Sequence, residues 1–179
     1  GMLTGIATTA RHSANVTPWK PSVLRQAVML LGFIATCFAA AGLGAAATSM
    51  SVGGWYQTLA KPSWNPPGWL FGPVWSVLYV LMAIAAWLVW RRQGWSAARS
   101  ALTWFGIQLA LNVLWSVVFF GMQQPGLAVI EILMLWLAIV ATIVAFHSKS
   151  VTAAILMVPY LAWSTFAAVL NFELWRMNS

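Results

Sequence analysis

Long apolar runs separated by short polar segments are the feature that most limits how this chain can fold. Only 6% of the 179 residues are charged, whereas 61% are hydrophobic and the mean hydropathy is +0.82. A soluble domain of ordinary composition carries about 25% charged residues. Because a bilayer offers the backbone no water, an apolar run of roughly 20 residues crosses it as a helix that satisfies its own hydrogen bonds. The sequence therefore predicts an all-α integral membrane protein.

The apolar runs predict a single five-helix transmembrane domain over residues 23–176, with a long aromatic loop between the first two helices. A polar tail of residues 1–22 precedes this domain, and residues 177–179 form a short tail after it. The predicted spans are residues 24–50, 69–90, 101–120, 126–146 and 151–174.

Basic residues are distributed unevenly between the two sides of this predicted bundle. The side with the N-terminal tail and the loops 91–99 and 147–150 carries seven Lys and Arg residues, against two on the other side, Lys61 and Arg176. Cytoplasmic loops are enriched in Lys and Arg, so we expect a cytoplasmic N-terminus. A net charge of +7 that flanks membrane spans suits anionic lipid headgroups and does not indicate nucleic acid. The tail suggests a bacterial membrane, with the mitochondrial outer membrane as the alternative.

Residues 55–79, WYQTLAKPSWNPPGWLFGPVWSVLY, hold an unusual density of rings. They contain two tyrosines, four prolines and the tryptophans Trp55, Trp64, Trp69 and Trp75. Aromatic side chains on a proline-stiffened loop form a rigid, mostly apolar surface that suits a flat apolar ligand. An interfacial belt of Trp and Tyr at the level of the lipid headgroups is the alternative for some of these rings.

Helical spacing places further aromatic and amide side chains at the same depth beneath this loop. Side chains three, four, seven or eight positions apart share one helix face. Three such sets occur, Trp75 with Tyr79, Asn112 with Trp115 and Phe119, and Trp163 with Ala167 and Asn171. They predict a ligand pocket capped by residues 51–68. Ordinary core packing of these rings, and amides that only bond neighbouring helices, are equally compatible with the spacing.

Few other residues have side chains or spacings that indicate a functional site or a helix contact. Glu131, about two turns into the fourth span, is a functional candidate because an acid inside a membrane is rare, although a helix partner or a snorkelling position also accounts for it. Gly106 and Ala110 form a small-xxx-small pair that indicates a helix contact or a homodimer contact. No His or Cys pair stands at metal-ligand spacing, and no nucleophile–base pair or carboxylate pair occurs, so we expect no metal, no required cofactor and no catalytic residue of acid–base type.

Several motifs in the right order resemble the TspO/MBR family, the tryptophan-rich sensory proteins and mitochondrial translocator proteins. The resemblance extends from about Trp55 to Asn178. The residues that carry it are Trp55-Tyr56, Lys61-Pro62-Ser63-Trp64-Asn65-Pro66-Pro67, Phe71-Gly72-Pro73-Val74-Trp75, Leu78-Tyr79, Leu111-Asn112, Trp115, Phe119-Phe120-Gly121, Pro159-Tyr160-Leu161-Ala162-Trp163, Leu170-Asn171 and Trp175-Arg176.

The resemblance implies a five-helix bundle, commonly dimeric, that binds tetrapyrroles such as protoporphyrin IX in a pocket beneath the first loop. The pocket residues it implies are Tyr56, Trp75, Tyr79, Asn112, Trp115, Phe119, Trp163 and Ala167. Trp64 of the aromatic loop and Asn171, on the helix face of Trp163 and Ala167, complete the ten predicted ligand-binding residues. Lys61 or Arg176 would suit the carboxylates of a porphyrin. The family's proposed sterol motif is incomplete here because Phe172 replaces its tyrosine.

Three functions are compatible with this resemblance. The first is a membrane receptor, sensor or transporter-like protein for porphyrins and other apolar planar ligands. The second is an enzyme that degrades porphyrin in light and oxygen, with Trp75 and Trp163 as its redox-active rings. The third is a sterol-binding or structural partner of other membrane proteins.

Overall fold

The computed structural model describes residues 17–179, so most of the predicted polar tail, residues 1–16, lies outside the described residues. The elements are α1 (Val23–Ser49), α2 (Trp55–Thr58), α3 (Gly68–Ser116), a π-helical turn (Val117–Gly121), α4 (Pro125–His147) and α5 (Val151–Met177). Four helices, α1, α3 with its π-helical turn, α4 and α5, are long and apolar enough to cross a membrane. The protein is therefore an all-α membrane bundle, as predicted.

The long helix α3 folds back on itself at Gly94. Gly94 has φ 73° and ψ 172°, a left-handed conformation that glycine adopts without a steric penalty. The halves α3a (residues 68–93) and α3b (residues 95–116) are antiparallel, because Tyr79 of α3a bonds Asn112 of α3b at 2.9 Å. Residues 91–99, expected to form a loop, are thus helical except for this one residue. A single left-handed glycine reverses the chain where the apolar pattern alone indicated a longer connection.

Trp19 covers the corner at Gly94. Its Nε1 donates a hydrogen bond to the carbonyl oxygen of Arg91 at 3.0 Å, and its ring meets Trp90 edge-on at 5.8 Å. The Arg25 guanidinium lies 5.1 Å from the centre of the Trp19 ring, within range of a cation–π interaction. The segment before α1 therefore packs against the reversal of α3, at the end of the bundle called here the Gly94 face.

The main core lies at the centre of the bundle, where every long segment contributes. Cys37 of α1, Met82 of α3a, Ile139 of α4 and Met157 of α5 are fully buried, and Phe105 of α3b is 5% exposed. A second cluster lies at the opposite end, called here the loop face, where residues 50–67 connect α1 to α3. It joins the rings of the π-helical turn to residues of α4 and α5. This second cluster supports the cavity described next.

Candidate functional site: an aromatic cavity at the loop face

A cavity of about 1010 Å³ lies inside the loop-face half of the bundle, beneath the connection from α1 to α3. Side chains from α1, α3a, α3b, α4 and α5 line it. Nine of the ten predicted ligand-binding residues are among them, namely Tyr56, Trp75, Tyr79, Asn112, Trp115, Phe119, Trp163, Ala167 and Asn171. The helical spacing therefore brings these residues together around one space, which core packing would have filled.

Two tryptophans stand on facing helices at the cavity wall. The Trp75 ring of α3a lies 5.7 Å from Tyr79 and 6.2 Å from Tyr160. The Trp163 ring of α5 meets Phe71 edge-on at 5.9 Å. Each Trp ring therefore packs against other aromatic rings at the cavity wall.

The π-helical turn shapes a third wall. An extra residue in a helical turn shifts the side chains that follow it, and such turns are frequent at functional sites. Here the turn stacks Phe119 on Trp115 with ring centres 5.1 Å apart. Phe119 and Phe120 then meet Trp55 and Tyr56 of α2, at 5.7 Å and 5.5 Å respectively. The turn thus connects the wall of the cavity to its roof, which is the connection formed by residues 50–67.

The two buried amides hold the helices together. Asn112 accepts a hydrogen bond from Tyr79 at 2.9 Å and donates one to Tyr160 at 2.6 Å. Asn171 accepts one from Trp115 Nε1 at 3.0 Å and donates one to the carbonyl oxygen of Pro125 at 3.0 Å. Of the two roles considered for these amides, bonding between helices is the one that the structure displays.

The roof is fastened to the rest of the bundle by polar contacts. The side chain of Asn178 accepts from the amide of Ala60 at 2.8 Å and donates to the carbonyl of the same residue at 2.9 Å. Ser51 donates to the carbonyl oxygen of Phe120 at 2.7 Å. These three bonds tie the start of the connection to the π-helical turn and its middle to the C-terminus.

The cavity lining includes one cationic side chain, that of Lys61 in the roof. Its Nζ donates to the carbonyl oxygen of Leu59 at 3.0 Å and lies 4.7 Å from the centre of the Tyr56 ring. Burial raises the pKa of Tyr56 above its usual value of 10.0, and the neighbouring Asn65 side chain opposes part of this rise. The roof therefore combines a neutral phenol with a cation.

Two predicted residues lie outside the cavity. Trp64 is 44% exposed and packs its ring edge-on against Phe166, which does line the cavity. Arg176 is exposed and forms an ion pair with Glu173 at 2.6 Å, one helical turn away. Of the two cations considered for a ligand carboxylate, Lys61 is therefore the one that lines the cavity, while Arg176 is paired on the outer surface of α5.

Sequence reasoning missed the contribution of α1. Small residues of a membrane helix permit close helix packing, yet several of those between positions 39 and 46 border the cavity, namely Ala41, Gly42, Gly44 and Ala45. Ser116 and Ser164 also line it, and each directly follows a residue that was predicted. The spacing of Ser116 four residues after Asn112 was a signal that could have identified it.

The remaining candidates lie away from the cavity. Glu131 is only 5% exposed, and neither carboxyl oxygen has a hydrogen-bond partner within residues 17–179. It therefore neither snorkels nor pairs with another described residue. Gly106 and Ala110 are exposed on the outer side of α3b. In the described part of the chain, no three His, Cys, Asp or Glu side chains are grouped to hold a metal.

Apolar membrane-length helices around a ring-walled cavity define an integral membrane protein of the receptor or sensor class. Comparison with known proteins agrees with this class. The TspO/MBR family model matches residues 33–176, and the chain belongs to this family.

Relatives from bacteria and animals match over most of their length. The tryptophan-rich protein TspO of Chlorobaculum tepidum is 42% identical over 158 residues, covering 86% of this chain and 98% of the relative. The tryptophan-rich sensory protein of Cereibacter sphaeroides is 42% identical over 150 residues, covering 84% and 91%. The translocator protein of Homo sapiens is 44% identical over 127 residues, covering 69% and 75%.

Proposed function

We propose that the cavity binds tetrapyrroles, with protoporphyrin IX as the expected ligand, together with other planar apolar molecules. Receptor, sensor and transporter-like roles all include this binding step. The observation that carries the proposal is the combination of aromatic walls with a single cation in the roof. A porphyrin is a flat apolar ring system with two carboxylates at one edge, so it matches both features.

The dimensions of the cavity support this ligand class. Its volume of about 1010 Å³ lies at the upper end of the roughly 300–1,000 Å³ that is usual for small-molecule pockets. The rings of Trp75, Trp115 and Trp163 approach it from three different helical segments. Offset or edge-on contacts between aromatic systems contribute about 0.5–1.5 kcal/mol each beyond the area they bury.

A titration with protoporphyrin IX tests the proposal. The purified protein is placed in lipid nanodiscs, and binding is followed by the absorbance of the porphyrin, since this signal does not depend on the number of tryptophans. We expect saturable binding by the wild type. Trp163→Leu should weaken it by about tenfold or more, which corresponds to about 1.4 kcal/mol.

Trp104→Leu is the matched control for this titration. Trp104 is also on a membrane-spanning segment, but it is 40% exposed and does not line the cavity. Its replacement removes the same ring from the outer surface and should leave the affinity unchanged. Equal effects of the two substitutions, or no saturable binding by the wild type, would contradict the proposal.

A further inference from the structure

The helices α1 and α3a are in contact in the half of the bundle near the Gly94 face. Trp87 Nε1 donates to the carbonyl oxygen of Gln26 at 2.8 Å, and the rings of Phe38 and Tyr79 lie 6.1 Å apart. These two pairs define an antiparallel register between the helices. Continued toward the loop face, the same register places the turn at Ala45 roughly opposite the turn at Gly72.

Beyond Phe38 and Tyr79, both helices carry small residues that line the cavity. Six of these small residues are also exposed, and they are called here the α1–α3a seam. They are Gly42, Ala45 and Ser49 of α1 and Gly68, Gly72 and Ser76 of α3a. Small residues at this part of the wall leave space between the two helices.

The glycines of the seam show that the helices do not touch there. A Cβ atom built at Gly42, Gly68 or Gly72 meets no neighbouring atom within 4 Å. By contrast, a Cβ at Gly44, on the adjacent face of α1, lies 3.4 Å from Ser116 Oγ of α3b. At the level of Gly44, helix α1 therefore packs on α3b and leaves a gap toward α3a.

A groove continues from the seam along the outer surface of α3a. It has a volume of about 270 Å³ and is lined by Ser76, Val77, Val80 and Leu81. Ser76 lines both this groove and the cavity. The groove and the seam thus meet at Ser76, and both are lined by uncharged residues on a helix that is long and apolar enough to cross the membrane.

We infer that the α1–α3a seam is a lateral entrance, through which apolar molecules dissolved in the membrane move between the bilayer and the cavity. The inference rests on the proposed function, because it concerns the route of the same ligand. Entry through the roof from the aqueous phase would require the bonds of Asn178 and Ser51 to break. The seam requires no such change, and its lack of charge favours ligands that partition into lipid.

Bulky side chains in the seam test this route. Gly42→Leu and Gly72→Leu place large groups where the structure has open space, so the fold should accept them. The probe is protoporphyrin IX dimethyl ester, added to proteoliposomes from donor vesicles, and binding is followed by stopped-flow quenching of tryptophan. Association and dissociation should both slow by about tenfold, equivalent to a barrier raised by about 1.4 kcal/mol. A route used in both directions slows both rates, whereas a leucine that only filled the binding cavity would speed dissociation, a result that would contradict the inference.

Gly32→Leu is the control. Gly32 lies on the same helix, is exposed, and has open space around its Cβ position, but it does not line the cavity. It should leave both rates unchanged. If the seam variants bind with wild-type rates, the ligand enters by another route and the inference is wrong. If the wild type shows no saturable quenching, both the inference and the proposed function are wrong. Unchanged rates in the seam variants would overturn the inference alone, so the two failures are distinguishable.

Discussion

Asn112 links two tyrosines from different helices, since it accepts a hydrogen bond from Tyr79 at 2.9 Å and donates one to Tyr160 at 2.6 Å. All three side chains are at least nine-tenths buried. Tyr79 belongs to α3a, Asn112 to α3b and Tyr160 to α5, so one amide fixes three segments at the floor of the cavity. Trp75 rests on both tyrosine rings, and its position therefore depends on this amide.

Asn112→Leu should destabilise the fold, because it leaves both tyrosine hydroxyls buried without their partner. A buried polar group that loses its hydrogen bond costs about 1–3 kcal/mol, so we expect a loss of roughly 2–6 kcal/mol for the two hydroxyls. The measurement is thermal unfolding in detergent, followed by tryptophan fluorescence. Tyr79→Phe is the control, since it removes one hydroxyl, keeps the ring, and should cost about half as much. A wild-type midpoint for Asn112→Leu would mean that the linkage contributes nothing to stability.

Gly94→Ala should destabilise the reversal of α3 for two reasons. A φ of 73° is unfavourable for residues with a Cβ atom, and that atom would lie only 3.0 Å from the Trp19 ring. The conformational term alone is about 1–2 kcal/mol. We expect a lower unfolding midpoint and increased exposure of Trp19, detected as quenching by iodide.

Gly32→Ala is the paired control for that experiment. Gly32 is inside α1 and has nothing within 4 Å of its Cβ position. Alanine is favoured over glycine in a helix by about 0.8–1.0 kcal/mol, so this variant should unfold at the same temperature or higher. A similar loss of stability in both variants would show that the reversal has no special need for glycine.

Lys61→Gln should selectively weaken the binding of ligands that carry carboxylates. The side chain is the cation of the cavity roof, and a charge-assisted hydrogen bond contributes about 1.5–3 kcal/mol. Affinity for protoporphyrin IX should therefore fall by about tenfold or more, while affinity for its dimethyl ester should not change. Both are measured by absorbance titration.

Arg176→Gln provides the comparison for Lys61. Arg176 carries the same charge at the same end of the bundle, but it pairs with Glu173 outside the cavity. We expect it to bind both porphyrins as the wild type does. If Arg176→Gln discriminated between acid and ester as strongly as Lys61→Gln, the effect would come from the charge of the whole face and not from a contact in the roof.

Much of the site could be predicted because helical periodicity is a local property. Helix geometry alone places Trp75 and Tyr79 on one face, and likewise Trp163 and Ala167. The lengths of the apolar runs give the depth of these residues in the membrane. The sequence could not show that the small residues of α1 border a cavity. Small side chains permit a neighbouring helix to pack closely, but they leave empty space where that helix lies farther away. The position of the neighbouring helix is not visible in the local sequence.

One other feature depended on tertiary contacts. The helical corner at Gly94 arises from one left-handed residue that Trp19 covers, and a Gly within the segment RRQGWSAAR gives no sign of this. The pairing of Glu173 with Arg176 is by contrast a local contact, which the i, i+3 spacing of the two residues indicates.

Tyr56 should make the roof sensitive to alkaline pH. Burial raises the pKa of Tyr56 above 10.0, which means that the folded state favours the neutral phenol. The stability from this preference is fully present below pH 10 and is lost as the pH rises through the higher pKa of the folded protein. The wild type should therefore lose more thermal stability than Tyr56→Phe between pH 8 and about pH 11. Lys61, whose Nζ lies 4.7 Å from the centre of the Tyr56 ring, is present in both proteins, so it contributes little to the difference. Parallel stability curves for the two proteins would show that the Tyr56 hydroxyl is not desolvated when the roof is closed.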